Sequence, residues 1–473
     1  MTPGRRQFLT LSAGIGTTLA GSTAQAARGA EMAPATSSSK RVVVIGAGIA
    51  GLAAGRDLAD QGHAVTVVEA QGRIGGRLKT DARLGVPLDL GASWVHGIRG
   101  NPITALAQAI GAHMASTSVD STTTFDHVDG EVDEISPPRQ ARMGALQRML
   151  QQWIRSAQGA DRDGSLFAAI WNRPDVRALP LPDQQLLRHL MNGSQEAEYG
   201  GNSTRAHSEI GHLSAQWFDN HQEFGGGDQV FAAGFQPIAA HLAQGLHIAT
   251  GQRVTRVDYS GRGVQVTTDQ GSLGADAVVV AVPLGVLKAG HITFTPRLPD
   301  AQGQAIEALR MGLLNKLYLK FDTDFWSQDS PTDWIESINA PDATRQAWTQ
   351  WVNFKRPLKQ NILLGFNAGD TAHELEALSD AGTIDSAMVR LRAIYGNGVP
   401  LPTGHLLTRW RQDRFTLGAY SFNALGITQN TRSALAQVIQ GKLAFAGEAT
   451  HPAHWGVVHG AYLSGQRAAR QLG

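Results

Sequence analysis

A chain of 473 residues carries 41 lysines and arginines against 40 aspartates and glutamates, a net charge of +1, with 42% hydrophobic and 17% charged residues. That length has room for roughly three domain-sized cores, and the balance of charge and apolar content excludes a disordered polymer and gives no support to a dedicated nucleic-acid binder. There is no cysteine, so disulfides, zinc–thiolate sites, iron–sulfur clusters, a cysteine nucleophile and a thioether-linked cofactor are all ruled out.

Residues 1–26 read as a signal peptide. Arg5-Arg6-Gln7-Phe8-Leu9 is a twin-arginine pattern, and Ala24-Gln25-Ala26 is an A-x-A cleavage site. The stretch between them is diluted by Gly14, Gly16, Thr17, Thr18, Gly21, Ser22 and Thr23, too polar for an anchor of about 20 strongly apolar residues. The expectation is a chain exported folded through the twin-arginine machinery to the periplasm or the medium, without stable membrane insertion. Residues 27–39, with Pro34-Ala35-Thr36-Ser37-Ser38-Ser39, form a polar linker.

Arg41-Val42-Val43-Val44-Ile45 is a β-branched run suited to a parallel strand buried on both faces. It enters the loop of Gly46, Gly48 and Gly51, then a helix to about Gln61, then the strand Ala64–Val68 ending at Glu69. This is a complete dinucleotide fingerprint. The glycines permit a tight turn, close approach of backbone N–H groups to a pyrophosphate and close helix–strand packing, while Glu69 accepts from ribose hydroxyls and repels a 2′-phosphate. Gln71-Gly72-Arg73-Ile74-Gly75-Gly76-Arg77 suits a loop crossing a pyrophosphate, or an ordinary glycine-rich turn.

Further along, 101–224 reads as mainly helical, with helical runs at 137–157 and 183–191. The stretch 183–228 holds Asp183, Glu196, Glu198, Glu209, Asp219, Glu223 and Asp228 against Arg188 and Arg205; it is either a channel attracting a polycation or a solvated acidic surface. Strands are expected at 252–257, at 276–282 before Pro283, at 316–322 and at 361–367, and helices over 374–395. Lys316 sits in an apolar strand pattern, Leu313 to Phe321, where a lysine normally faces solvent. His96, beside Gly97, taken by itself reads as a satisfied loop histidine. The sixteen histidines show no ligand spacing and no H-E-x-x-H, so no metal site is expected, and His451 and His454 read as loop residues. Leu443–Ala446 is a strand running into Gly447-Glu448, and Val458-His459-Gly460-Ala461 opens a last helix.

Taken together, these blocks resemble the flavin-dependent amine oxidases, most closely the polyamine oxidases, from Arg41 to Leu472. The specific motifs are the Gly46 loop, Glu69 to Arg77, Leu88 to Pro102, Ala275 to Lys288, Met311 to Phe321 and Gly447 to Arg467. The resemblance implies an α/β fold: a discontinuous Rossmann-like FAD-binding domain (40–100, 225–290, 405–473) with an α+β substrate-binding domain (101–224, 291–404). Gly46, Gly48 and Gly51 would hold the FAD pyrophosphate, Glu69 the adenosine ribose, and Arg77 would lie near the phosphates. Gly91, Ala92, Ser93 and Trp94 would line the isoalloxazine, Val254 would meet adenine, and Glu448 the ribityl–phosphate end. Ala419 stands where related monoamine oxidases attach the flavin through cysteine, so FAD would be noncovalent. By the same resemblance Lys316 assists flavin reoxidation through a water, His96 positions the substrate or balances its proton, and Tyr420 forms one wall of an aromatic cage. The usual second aromatic is replaced by Val457, for which Trp217, Phe218, Trp410 or Trp455 would compensate.

The implied reaction is oxidation of an amine, above all a polyamine, by hydride transfer from the carbon beside nitrogen to flavin N5. Hydrolysis of the imine then gives an aldehyde and an amine, and O2 is reduced to H2O2. Glu196 and Glu198 are the candidates for attracting the substrate. Alternative readings are an L-amino-acid oxidase, which would lack its carboxylate-clamping arginine after Gly91-Ala92, an aromatic monoamine oxidase, a carbon–carbon desaturase, or a non-catalytic FAD-binding module.

Overall fold

A computed structural model describes residues 39–128, 131–199, 213–326, 332–338 and 347–473, with backbone alone for 192–199. The expected signal peptide, residues 1–26, and nearly all of the expected 27–39 linker lie outside the described residues. The first layer is a five-stranded, all-parallel sheet in the order His247–Ala249, Ala64–Val68, Arg41–Ile45, Ala277–Val280, Leu443–Phe445. Val42 and Val44 pack into one apolar cluster with Val67 and Val279, whereas Val43 and Ile45 pack into another with Val68 and Val280. Both faces are buried, which is why the sequence runs in unbroken β-branched residues rather than alternating. Each such side chain contributes about 1.5–3 kcal/mol on burial.

Helices Ile49–Asp60 and Val458–Leu472 cover one face together. Their approach depends on Gly465, whose added Cβ would lie 2.1 Å from the Ala50 carbonyl oxygen. A four-stranded sheet, Gly271–Ala275, Val264–Thr268, Val254–Asp258 and Thr293–Thr295, belongs to the cluster on the opposite face.

The second layer is a seven-stranded mixed sheet in the order Gly404–Leu407, Leu314–Lys320, Ile362–Ala368, Gln350–Asn353, Trp334–Ile338, Thr122–Val128, Glu131–Glu134. One face packs Leu317, Leu319, Trp351 and Leu363 against helix Asp380–Tyr395. The other carries Tyr318, Leu364, Val352 and Trp334, with Leu88 and Leu90 packed on it. Helices Pro137–Gln158, Leu166–Trp171 and Leu181–Tyr199 form a further cluster.

The structure adds detail to three expectations. The 101–224 stretch, expected to be mainly helical, also carries three strands: Met114–Thr117 and Thr122–Val128 find partners far away in sequence, Asp228–Phe231 and Trp334–Ile338, and Glu131–Glu134 pairs back on Thr122–Val128. The helices expected over 374–395 are Gly369–Glu376, which starts earlier than expected, and Asp380–Tyr395, parted where Ser379 Oγ accepts from the Gly382 amide at 3.1 Å. The boundary at 405 cuts strand Gly404–Leu407, which pairs with Leu314–Lys320 in the large sheet. Among the described residues no helix is long and apolar enough to cross a membrane.

Candidate active site

One cavity of about 1180 Å³ runs from the C-terminal ends of the parallel strands to the face of the seven-stranded sheet. Its first section is built by the glycine loop. Gly46, at φ +103°, makes a turn closed to other residues, since a Cβ there would meet the Ala281 carbonyl oxygen at 2.9 Å. Gly48 is the opposite case: a Cβ there meets no protein atom within 4 Å and would project into open space. It is also the N-cap of helix Ile49–Asp60 and supplies no capping side chain, so the helix presents its amide end at the cavity wall with Gly46, Gly48, Ile49 and Ala50. Gly51 does not line the cavity. Its Cβ would sit 1.9 Å from the Gly46 carbonyl oxygen, so its part is helix–turn packing.

Glu69 is buried at the end of the second strand, accepting from the amides of Ala47 at 2.7 Å and Gln71 at 2.8 Å. Burial raises its carboxyl above the usual range, with these N–H groups opposing. Gly76 lies across the glycine loop, its Cβ position 3.3 Å from Gly48 Cα, and Val254 completes this wall. A bare backbone, an uncapped helix end, an open space above Gly48 and a buried ribose-matching acid fit the pyrophosphate and ribose of FAD.

The middle section is held by a buried ionic network. Arg77 Nη1 donates to Glu448 Oε1 at 2.9 Å and to the Ala419 carbonyl at 2.9 Å. Glu448 also accepts from Ser421 Oγ at 2.6 Å and from the Gly456 amide at 2.9 Å. Burial pushes the Glu448 carboxyl upward, but Arg77 and Arg432 outweigh it and hold it below its ordinary value. Arg432, only 3% exposed, is pushed down to about 9 by burial against the pull of Glu448. Arg77 and Glu448 both line the cavity while bound to one another, fastening residue 77 to the C-terminal segment.

Lys316 corrects the solvent-facing reading, being 4% exposed. Strand Leu314–Lys320 lies inside the seven-stranded sheet, and its cavity face is roofed by the segment from Asp89 to Ser93. Lys316 Nζ donates to the Asp89 carbonyl at 3.1 Å, to the Gly91 carbonyl at 2.5 Å and to Ser93 Oγ. Nζ also lies 5.5 Å from the Trp94 ring centroid. Three acceptors suit an ammonium, yet burial pulls the group toward the neutral amine, with the buried Asp89 carboxylate opposing. Burial in turn raises Asp89, whose Oδ1 accepts from Thr80 Oγ1 at 2.7 Å and from the Phe235 amide at 3.0 Å. Gly91, Ala92, Ser93 and Trp94 all line the cavity beside Lys316.

His96 is no self-contained loop histidine. Its Nδ1 faces Asp228 Oδ2 at 3.3 Å, and the other Asp228 oxygen accepts from the Gly97 amide at 3.0 Å. Its side chain is 40% exposed and reaches the cavity. Tyr420 packs on Gly456, where an added Cβ would lie 3.4 Å from its ring, and Val457 follows as N-cap of the last helix. Phe218, Trp410 and Trp455 line the cavity, as do Trp94, Trp334 and Phe366; Trp217 does not and packs into the core. His451 has the expected loop role, accepting the His454 amide at 2.9 Å. Among the described residues no group of histidines and acids is arranged to hold a metal.

The side chains of Glu196 and Glu198 lie outside the described residues. Among the described residues of the acidic stretch, Asp183 pairs with Arg142, and of its acids Glu223 and Asp228 reach the cavity. The sequence reading missed Asp89, Trp334, Glu336 and Phe366. Asp89 between two leucines was the one local signal; the others are joined to the site only by strand register.

A family model described as flavin containing amine oxidoreductase matches residues 49–473. The chain is 32% identical over 445 residues to polyamine oxidase 2 of Arabidopsis thaliana, covering 91% of this chain and 87% of that protein. It is 34% identical over 442 residues to polyamine oxidase 4 of Oryza sativa subsp. japonica, covering 90% and 87%. A redesigned putrescine oxidase shares the fold at a TM-score of 0.71 and 21% identity, over 92% of this chain and 99% of that one. With a glycine loop and acid shaped for a dinucleotide, no cysteine to attach it, and a buried lysine at the cavity, the chain belongs to the flavin-containing amine oxidoreductases and is an FAD-dependent amine oxidase.

Proposed function

We propose that the protein oxidises polyamines, taking a hydride from the carbon beside an amine nitrogen, with O2 as the final acceptor. The observation carrying this reading is the buried Lys316 opening on a long cavity with aromatic walls and carboxylates at several points of its lining. FAD, when bound, supplies the two-electron acceptor and returns the electrons to O2 as H2O2.

The chain's own residues then bind, orient and manage protons. Tyr420, Trp94 and Phe366 give the amine flat apolar walls and exclude water. His96, held by Asp228, is the group that takes up the ammonium proton, since a nitrogen must be neutral before the adjacent carbon–hydrogen bond can be oxidised. Lys316, drawn toward its neutral form by burial, holds a lone pair or a proton at Nζ beside Gly91 and Ser93. In the same reading the parallel-sheet body holds FAD and the seven-stranded sheet floors the amine cavity.

The test is anaerobic: spermine, spermidine, putrescine, benzylamine and amino acids are added in turn and the flavin spectrum followed. Bleaching by polyamines ahead of the others, with kcat/KM rising toward alkaline pH, is the expected result; bleaching by amino acids only would refute it. Export of the folded chain is part of the proposal and is checked by cell fractionation of an Arg5→Lys, Arg6→Lys variant, which should stay inside the cell.

A further inference from the structure

The cavity extends well past Lys316, across the face of the seven-stranded sheet. Lys316 lies opposite Phe366 on the next strand, and Glu336 lies opposite Gln350 further across. The pair Trp351 and Gly365 joins these two ladders, bringing Lys316, Phe366, Gln350 and Glu336 into one row. Residues directly opposite one another point to the same face of a sheet, and all four line the cavity. The row crosses three strand spacings, about 14 Å between the backbone positions of Lys316 and Glu336. Trp334, two residues before Glu336 and on the same face, stacks 5.9 Å from both Trp94 and Phe366.

The far end of this row differs chemically from the near end. Glu336 is 1% exposed. Its Oε1 lies 2.9 Å from His189 Nε2 and 3.5 Å from Gln350 Nε2, and its Oε2 accepts from Thr124 Oγ1 at 3.2 Å. These contacts fix the direction of the carboxylate. Asp333, also at the cavity wall, pairs with the Arg356 guanidinium at 3.3 Å. A carboxylate set in such dry surroundings attracts a cation more strongly than one in water.

We infer that Glu336 is a specificity-determining residue that receives a second ammonium of the substrate, far from the amine that reacts. The methylene chain between the two nitrogens lies along Phe366 and Trp334, and long polyamines are favoured over short diamines and monoamines. The inference rests on the amine-oxidation reading above.

The experiment uses the FAD-loaded protein and its Glu336→Gln variant. The ratio of kcat/KM for spermine to that for benzylamine should fall at least about tenfold, mostly through KM. Calorimetric affinity for an unreactive long α,ω-diguanidine should fall by a similar factor, and Glu336→Asp should restore part of both. An unchanged ratio, or an equal loss for spermine and benzylamine, overturns the assignment. Should Glu336→Gln not fold, Gln350→Lys, at a partly exposed position, sets a cation in the same row and must lower the same ratio; no change there also overturns it. If no amine bleaches the wild-type flavin, the amine-oxidation reading itself has failed, a result seen before any variant is made, and the role of Glu336 falls with it.

Discussion

Gly48 and Gly51 lie three positions apart, yet a methyl group would meet open space at one and a carbonyl oxygen at the other. Gly51→Ala should therefore destabilise the FAD-free protein by about 1–3 kcal/mol through overpacking. Gly48→Ala should leave its thermal midpoint nearly unchanged but release FAD more readily, as measured by flavin fluorescence after dilution. Lys316 calls for a kinetic measurement. Lys316→Met should slow the reaction of the reduced enzyme with O2 on the order of 10²-fold, the scale of proton management; stopped-flow mixing with oxygen reads it apart from flavin reduction. Reoxidation at the normal rate would remove Lys316 from that role.

Among elements, those whose burial is decided locally were the legible ones. The unit from Arg41 to Glu69 could be read in full because its strands are buried on both faces and its glycines mark the turn. Strand Thr122–Val128 was not legible: its partner Trp334–Ile338 lies about two hundred residues away, and nothing local announces a parallel pairing. The face on which Lys316 lies was equally hidden, since a period of two assigns a face but not what covers it. Glu336 was invisible for a stronger reason, because a row exists only once the register of four strands is known. The break between Gly369–Glu376 and Asp380–Tyr395 was readable in principle from Ser379. Ser379→Ala should cost about 1 kcal/mol, seen as a lower denaturation midpoint with unchanged FAD binding.

For the whole molecule, stability couples to pH through buried acids. Asp219, next to Gln158 and His221, has its carboxyl pushed up to about 6 by burial, with His221 opposing. The folded state then holds a proton that the unfolded state gives up near pH 4. This contribution is fully present below that value and is lost as pH rises through about 6. Asp219→Asn should accordingly raise stability at pH 8 by up to about 2 kcal/mol and change little at pH 4, in paired thermal melts.

The Arg77–Glu448 bridge spans 371 residues of sequence, and helix Val458–Leu472 lies against helix Ile49–Asp60. A nascent chain therefore carries its glycine loop out of the ribosome long before the opposite wall of the cavity has been translated. The cofactor has no complete berth until helix Val458–Leu472 leaves the exit tunnel, so flavin loading belongs after that helix has been made and exposed. Any quality check on cofactor content must come later still.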